Sequence, residues 1–269
     1  MNFSGKLILL TVSLIFFPVF FSKPCPAIAQ TGIIVALTGT SDQIRSKMNA
    51  NQIKHYAKRA FIAGKLSGTD IILVRSPMGM INNAITTQLL ITHFNVQRII
   101  SIAPAGGVAD HLKIGDLVIA SEVWQHDFGT FKPYGFIWGK TPDGSGNHSL
   151  GHQQLDKILF TAAKKTADST SKTINHFYEG IIASGDSFIA DKEKRDWIAA
   201  KFNASAVDMG SAAIAQVCYA NNIQCLILRL ITDKAGINAR IDFGDSLPVY
   251  RSTINVSSYI SLLLDALSR

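Results

Sequence analysis

Apolar residues fall into short, dense runs set between segments of helical period. Gly32 to Leu37, Ile99 to Ile102, Phe177 to Ala183 and Cys225 to Ile231 are nearly unbroken apolar stretches. Such runs suit strands buried on both faces of a parallel sheet. Gly115 to Val123 reads as a further strand, and Tyr56 to Lys65 with Asp70 to Arg75 as a pair joined at Ser67-Gly68. Between them lie helical patterns. Thr38 to Asp42, rich in residues that cap helices, is a polar turn opening a short helix to about Met48. Met80 to Phe94 and Leu155 to Ala167 are expected helices, as is the segment from the Asp191 cap to about Phe202. Ser211 to Ala220, with small and apolar residues all round, reads as a helix between layers, stopped by Asn221 and Asn222. Tyr250 to Leu267 is expected to close the chain as a helix. Strands alternating with helices give an α/β sandwich.

The connections are expected to be loops. They are Ser76 to Gly79, a close-packed Ala103 to Val108, Ser184 to Phe188, and Gly236 to Pro248. Residues 128–147 read as irregular, with Phe131, Tyr134, Phe136 and Trp138 among several Gly and Pro. There are no internal repeats. Asp233 follows the last apolar run directly. Ligands of open α/β sheets bind beyond the carboxyl ends of strands, so Asp233 is the leading candidate for function.

The N-terminus changes the picture of the whole chain. The run from Leu7 to Phe21 is followed by the small-x-small pattern Ala27-Ile28-Ala29. That is the pattern of a secretory signal peptide cleaved after Ala29, leaving one domain over residues 30–269. The run is shorter than the roughly 20 residues of a spanning helix. The mature protein is therefore expected to be exported, periplasmic or secreted, with no membrane span. Lys6 and Lys23 leave with the signal, which lowers the formal net charge from +7 to +5. The densest basic patch, Lys54, His55, Lys58 and Arg59 with Arg45 and Lys47 nearby, reads as a solvated face. No nucleic-acid module is present. Cys218 and Cys225 remain, at positions that read as core, and are expected to be reduced and packed. Their spacing fits no metal site, and no metal or cofactor is expected.

Four segments together resemble the nucleoside phosphorylase superfamily, in particular the methylthioadenosine/S-adenosylhomocysteine nucleosidases. They are GIIVAL at 32–37, APAGGVADHLKIGDLVIASEVWQHD at 103–127, GIIASGDSFI at 180–189, and VDMGSAAIAQVC with ILRLITDKAG within 207–236. The resemblance implies a three-layer αβα sandwich around a mixed, partly barrel-like sheet, and a homodimer. It implies cleavage of a purine nucleoside N-glycosidic bond. Asp233 matches the acid that protonates the leaving purine, Phe188 the aromatic stacked on it, and Ile189 the backbone that reads its edge. Ala105 and Gly106 match the loop approaching the nucleoside, and Met209 the residue under the sugar.

Two positions depart from that pattern. The nucleosidases carry a water-activating Glu where Thr40 stands, and a hydroxyl has no basicity near neutral pH. Their Met-Glu pair, which grips the ribose hydroxyls, is Met209-Gly210 here. Asp208 and Asp186 are the candidate stand-ins. Three readings follow: a nucleosidase with an altered site, a non-catalytic exported protein that binds or stores a purine or nucleoside, and a phosphate-dependent phosphorylase. The last would hold its anion on Thr38 to Ser41 at a helix start, with Arg45 one turn on.

Overall fold

The computed structural model describes residues 30–142, 152–169, 176–252 and 256–268. The expected signal peptide, Cys25 and part of the 128–147 segment lie outside them.

In chain order, β1 (Thr31–Val35) leads into α1 (Thr38–Lys47). The meander β2 (Asn49–Tyr56), β3 (Arg59–Leu66) and β4 (Thr69–Arg75) follows, then α2 (Met80–Phe94). Next come β5 (Arg98–Gly107), β6 (Leu117–Gln125), β7 (Gly129–Lys132), β8 (Gly135–Trp138), β9 (His152–Gln154) and α3 (Lys157–Ser169). The chain ends with β10 (Phe177–Ser184), α4 (Lys192–Phe202), β11 (Ala204–Asp208), α5 (Ser211–Ala220), β12 (Gln224–Asp233), α6 (Ala239–Ser252) and α7 (Val256–Ser268).

The main sheet runs β11-β10-β6-β12-β5-β1-β4-β3-β2, and β11 also pairs with β5. That extra pairing closes β5, β12, β6, β10 and β11 into a ring, the barrel-like part of a mixed sheet. The pairs of β1 with β4 and β5, and of β12 with β5, are parallel, whereas β12–β6 and β11–β5 are antiparallel. Alternate strand residues feed opposite cores. Ile33, Val35, Leu226 and Leu228 pack with Ile44 of α1, Leu159 of α3 and Tyr259 of α7. Ile34, Ile227 and Ile231 pack with Leu90 of α2 and Ala212 to Ala215 of α5. Burial on both faces is why these strands read as continuous apolar runs.

Several expectations are corrected. The segment Ala103 to Gly107 is not loop but the second half of β5. Pro104 sits opposite Leu230 of β12 while the chain continues onward to pair Gly107 with Ala206 of β11. The expected strand from Tyr56 begins too early. Ala57 and Lys58 adopt left-handed φ values of 45° and 60°, a tight hairpin turn between β2 and β3. Arg59 leaves the basic patch altogether. It is buried, with Nε donating to Thr86 Oγ1 at 2.8 Å and Nη2 to Asn82 Oδ1 at 2.8 Å. The polar turn at Thr38 is itself the first turn of α1, opened by Ser41 N donating to Leu37 O at 3.1 Å. The 128–147 segment contains a hairpin, β7–β8.

The expected loop after Gly236 is the helix α6, and the expected closing helix from Tyr250 is split into the end of α6 and α7. Ala239 is buried, and Phe243 and Leu247 are half-buried at helical spacing. Gly244 and Pro248 disguise that spacing, because both disfavour a helix interior. Among the described residues no helix is long and apolar enough to cross a membrane. Cys218 and Cys225 are both free and buried.

Candidate active site

The strands β1, β5 and β12 run parallel and end at one edge of the sheet. A cavity of about 840 Å³, counting its mouth, opens there. Its floor is Ala103 to Gly106 from β5 with Thr232 and Asp233 from β12. The exit loop of β10 brings Ser187, Phe188 and Ile189, and the turn from β11 into α5 brings Asp208, Met209 and Gly210. Asn83 of α2 and Phe243 of α6 complete the wall. Ala105, Gly106, Phe188, Ile189, Asp208, Met209, Gly210 and Asp233 thus share one cavity.

Asp233 is held at a register shift of β12, between Ile231 and Asp233 where the strand pairs with β5. Its side chain is 3% exposed. Oδ1 accepts from Ala235 N at 2.9 Å and Oδ2 from Thr232 Oγ1 at 2.9 Å. Burial pushes its pKa above the usual carboxylate value, against those two hydrogen bonds and with help from the charge of Asp242. A carboxyl so placed can stay protonated at higher pH than an exposed one and give up its proton to a ligand. Gly106 makes room for it: a Cβ at that position would lie 2.7 Å from Asp233 Oδ1. Phe188 is half-buried. It meets Phe243 edge-on with ring centroids 6.1 Å apart, and the Arg240 guanidinium lies 5.2 Å from its ring centroid. An aromatic face is therefore fixed on one side of the cavity by α6.

Asp208 is no free carboxylate. It faces Arg229 of β12, whose Nε donates to Oδ2 at 2.5 Å, and both side chains are almost fully buried. Ser211 Oγ donates to the same oxygen at 2.7 Å. Burial alone would raise the Asp208 pKa, but the charge of Arg229 and the hydrogen bonds from Ser211, Arg229 and Ser184 outweigh it and leave the carboxyl below its usual value. Arg229 Nη1 also donates to Ser101 Oγ at 3.2 Å and Leu228 O at 2.8 Å. The sequence signal for Arg229 is a charge inside an otherwise apolar strand.

Asp186, the other stand-in, is also spent. Its Oδ1 accepts from Met80 N at 2.7 Å, capping α2 from a neighbouring loop, and it does not line the cavity. Thr40 is buried in the first turn of α1 and lines a smaller adjoining cavity with Thr38, Gly39, Arg75 and Leu247. The two cavities share only Ala36 and Leu37. The acids lining the main cavity are Asp208 and Asp233. Among the described residues no cluster of three His, Cys, Asp or Glu side chains could hold a metal.

A sequence model described as the Phosphorylase superfamily matches residues 30–257. The chain is 33% identical over 233 residues to a 5'-methylthioadenosine/S-adenosylhomocysteine nucleosidase of Shewanella loihica, covering 86% of this chain and 97% of that one. It is similar to the solved nucleosidase of the same description from Neisseria meningitidis in complex with methylthio-immucillin-A. The TM-score is 0.78, the identity 28%, and the match covers 88% and 99% of the two chains. The futalosine hydrolase of Helicobacter pylori is as similar in shape, with a TM-score of 0.78, 27% identity, and 88% and 98% of the chains covered.

Proposed function

Because the chain belongs to the phosphorylase superfamily, we propose that it is an exported purine nucleoside N-glycosidase, of the methylthioadenosine/S-adenosylhomocysteine nucleosidase type, that relies on its acid far more than on a base. The observation that carries this reading is Asp233, buried at the cavity floor with its pKa raised and Phe188 among the cavity's other walls. In the reaction the C1′–N bond breaks and its electron pair leaves with the purine. Asp233 gives its proton to a purine ring nitrogen. Water then bonds to C1′ of the oxocarbenium-like sugar and loses its proton to solvent, and Asp233 is reprotonated. An electrophile of that kind accepts a weak nucleophile, so hydrolysis can proceed without a carboxylate at Thr40, though more slowly.

The test is release of free adenine from methylthioadenosine, S-adenosylhomocysteine or adenosine by the protein of residues 30–269, with and without inorganic phosphate. Hydrolysis independent of phosphate is expected. Saturable binding without any release would instead support the non-catalytic reading. That reading is favoured by the pairing of Asp208 with Arg229, which leaves the cavity without a free base. A phosphate requirement would point to Thr38 to Thr40, where Arg75 Nη1 lies 3.4 Å from Thr38 Oγ1. Exposed apolar residues, Met78 at 57% on the cavity lining and Ile81 at 72% in the first turn of α2, support a homodimer through this face. Sedimentation of the purified protein tests it.

A further inference from the structure

The first turn of α2 and the start of α5 meet at the cavity wall, and there Asn83 faces Gly210. Gly210 is held in place by its N–H, which donates to Ser184 Oγ at 3.1 Å. Its φ of −169° is extended backbone that any residue adopts, so conformation does not require glycine here. The Asn83 side chain does bear on it. A Cβ on residue 210 would lie 2.5 Å from Asn83 Nδ2 and 2.8 Å from Asn83 Cγ. With the Asn83 amide where it stands, a side chain at 210 has no room and would have to push the amide aside. The chain has placed an amide on α2 where the resembling family places a carboxylate on the turn into α5.

Asn83 is well fixed for recognition. Its N–H donates to Gly79 O at 3.1 Å and its Nδ2 to the same oxygen at 2.9 Å. The turn beneath it is capped by Asp186, which accepts from Met80 N at 2.7 Å. With Nδ2 committed to the backbone, the amide orientation is set and Oδ1 is left as an acceptor. Among the described residues no donor reaches Oδ1, and Asn83 lines the cavity. Asn83 is half-buried on a fixed helix turn and lines the cavity, and its amide oxygen suits a hydroxyl donor.

We propose that Asn83 is the residue of this chain that recognises the sugar hydroxyls of a ribonucleoside, replacing the carboxylate absent at Gly210. This rests on the nucleosidase reading above. A neutral amide oxygen accepts from a hydroxyl without bringing charge beside Asp208 and Arg229. It also makes the site intolerant of a simple reversion, because Gly210→Glu must displace the Asn83 amide.

The test uses calorimetry on the protein of residues 30–269 with adenosine, 2′-deoxyadenosine, 3′-deoxyadenosine and adenine. Where a nucleoside is turned over, the same ratios are read as kcat/KM. The parent protein should prefer adenosine to at least one deoxy form by about tenfold, the worth of one hydrogen bond to a buried acceptor. Asn83→Ala should abolish that preference and leave adenine binding unchanged. Asn83→Gln, which keeps a neutral amide one methylene farther out, should retain part of the preference, and its adenine affinity reports the fold if Asn83→Ala is damaged. Gly210→Glu alone should weaken adenosine binding, and Asn83→Ala with Gly210→Glu should recover it. Equal adenosine preference in the parent and in Asn83→Ala, with adenine bound normally by both, overturns the role of Asn83 and leaves the nucleosidase reading standing. Failure of the parent to bind adenine or any nucleoside overturns both.

Discussion

The two ends of the cavity are built differently. At one end, Gly106 and Asp233 form the floor, and Phe188 stands on a wall of the same cavity. Gly106 leaves the space Asp233 fills, Thr232 and Ala235 orient its carboxyl, and Phe188 is backed by α6. At the opposite wall the carboxylates are absent or committed. Asp208 is neutralised by Arg229, Asp186 caps a helix, and Gly210 yields its volume to Asn83. On the proposed reading, the contrast teaches that a leaving-group site and a sugar site are separable. The former depends on one buried acid held by the sheet. The latter depends on where helix starts meet, and helix starts can exchange side chains across a shared volume without disturbing the strands.

Removing the acid should break the comparison most severely. Asp233→Asn should lower adenine release by about 10²–10⁴-fold, the usual worth of a general acid, as read by single-turnover assays. Next in size, Asp208→Ala should leave the Arg229 charge buried and uncompensated, at a cost of about 3–5 kcal/mol seen as a large drop in melting temperature. Gly106→Ala should cost about 1–3 kcal/mol through overpacking against Asp233 and should reduce turnover with it, which parallel melting and rate measurements check. The smallest change is expected for Thr40→Ala. It lines the adjoining cavity rather than the main one, so phosphate-free adenine release should change by less than about threefold.

The two acids should also respond to pH with opposite sign. Asp233 has a raised folded pKa, so its contribution to stability is full below the unfolded value and is lost as pH rises through the folded one. Asp208 has a lowered folded pKa, so its contribution is present above the unfolded value and is lost as pH falls through the folded one. Melting curves across acid and neutral pH should therefore show Asp233→Asn losing the decline on the upper side only, and Asp208→Asn losing the acid-side decline.

Much of this was legible in the chain itself. Continuous apolar runs located β1 and β12, a helical pattern located α2, and small and apolar residues all round, stopped by Asn221 and Asn222, located α5. The position of Asp233 at a strand end followed from that pattern. Other elements were hidden for physical reasons. Strand β2 is exposed along nearly its whole length, so it carries no apolar alternation, and the second half of β5 contains Pro104 and two glycines. Helix α6 keeps an inward spacing that Gly244 and Pro248 obscure. The relation of Asn83 to Gly210 could not be read from spacing at all. It exists only because α2 and α5, far apart in the chain, begin at the same point of the cavity. Thr40 lies at the aligned position, in the first turn of α1, and lines the adjoining cavity that shares Ala36 and Leu37 with the main one.

The central claim is that Asp233 drives departure of a purine from a ribonucleoside. Its most direct test is adenine release from methylthioadenosine as a function of pH, by the protein of residues 30–269 and its Asp233→Asn variant. The account predicts release that falls as pH rises through the elevated pKa of Asp233, and its loss in the variant at every pH. Release that is undiminished in the variant would contradict it, as would no release from any purine nucleoside by the parent protein.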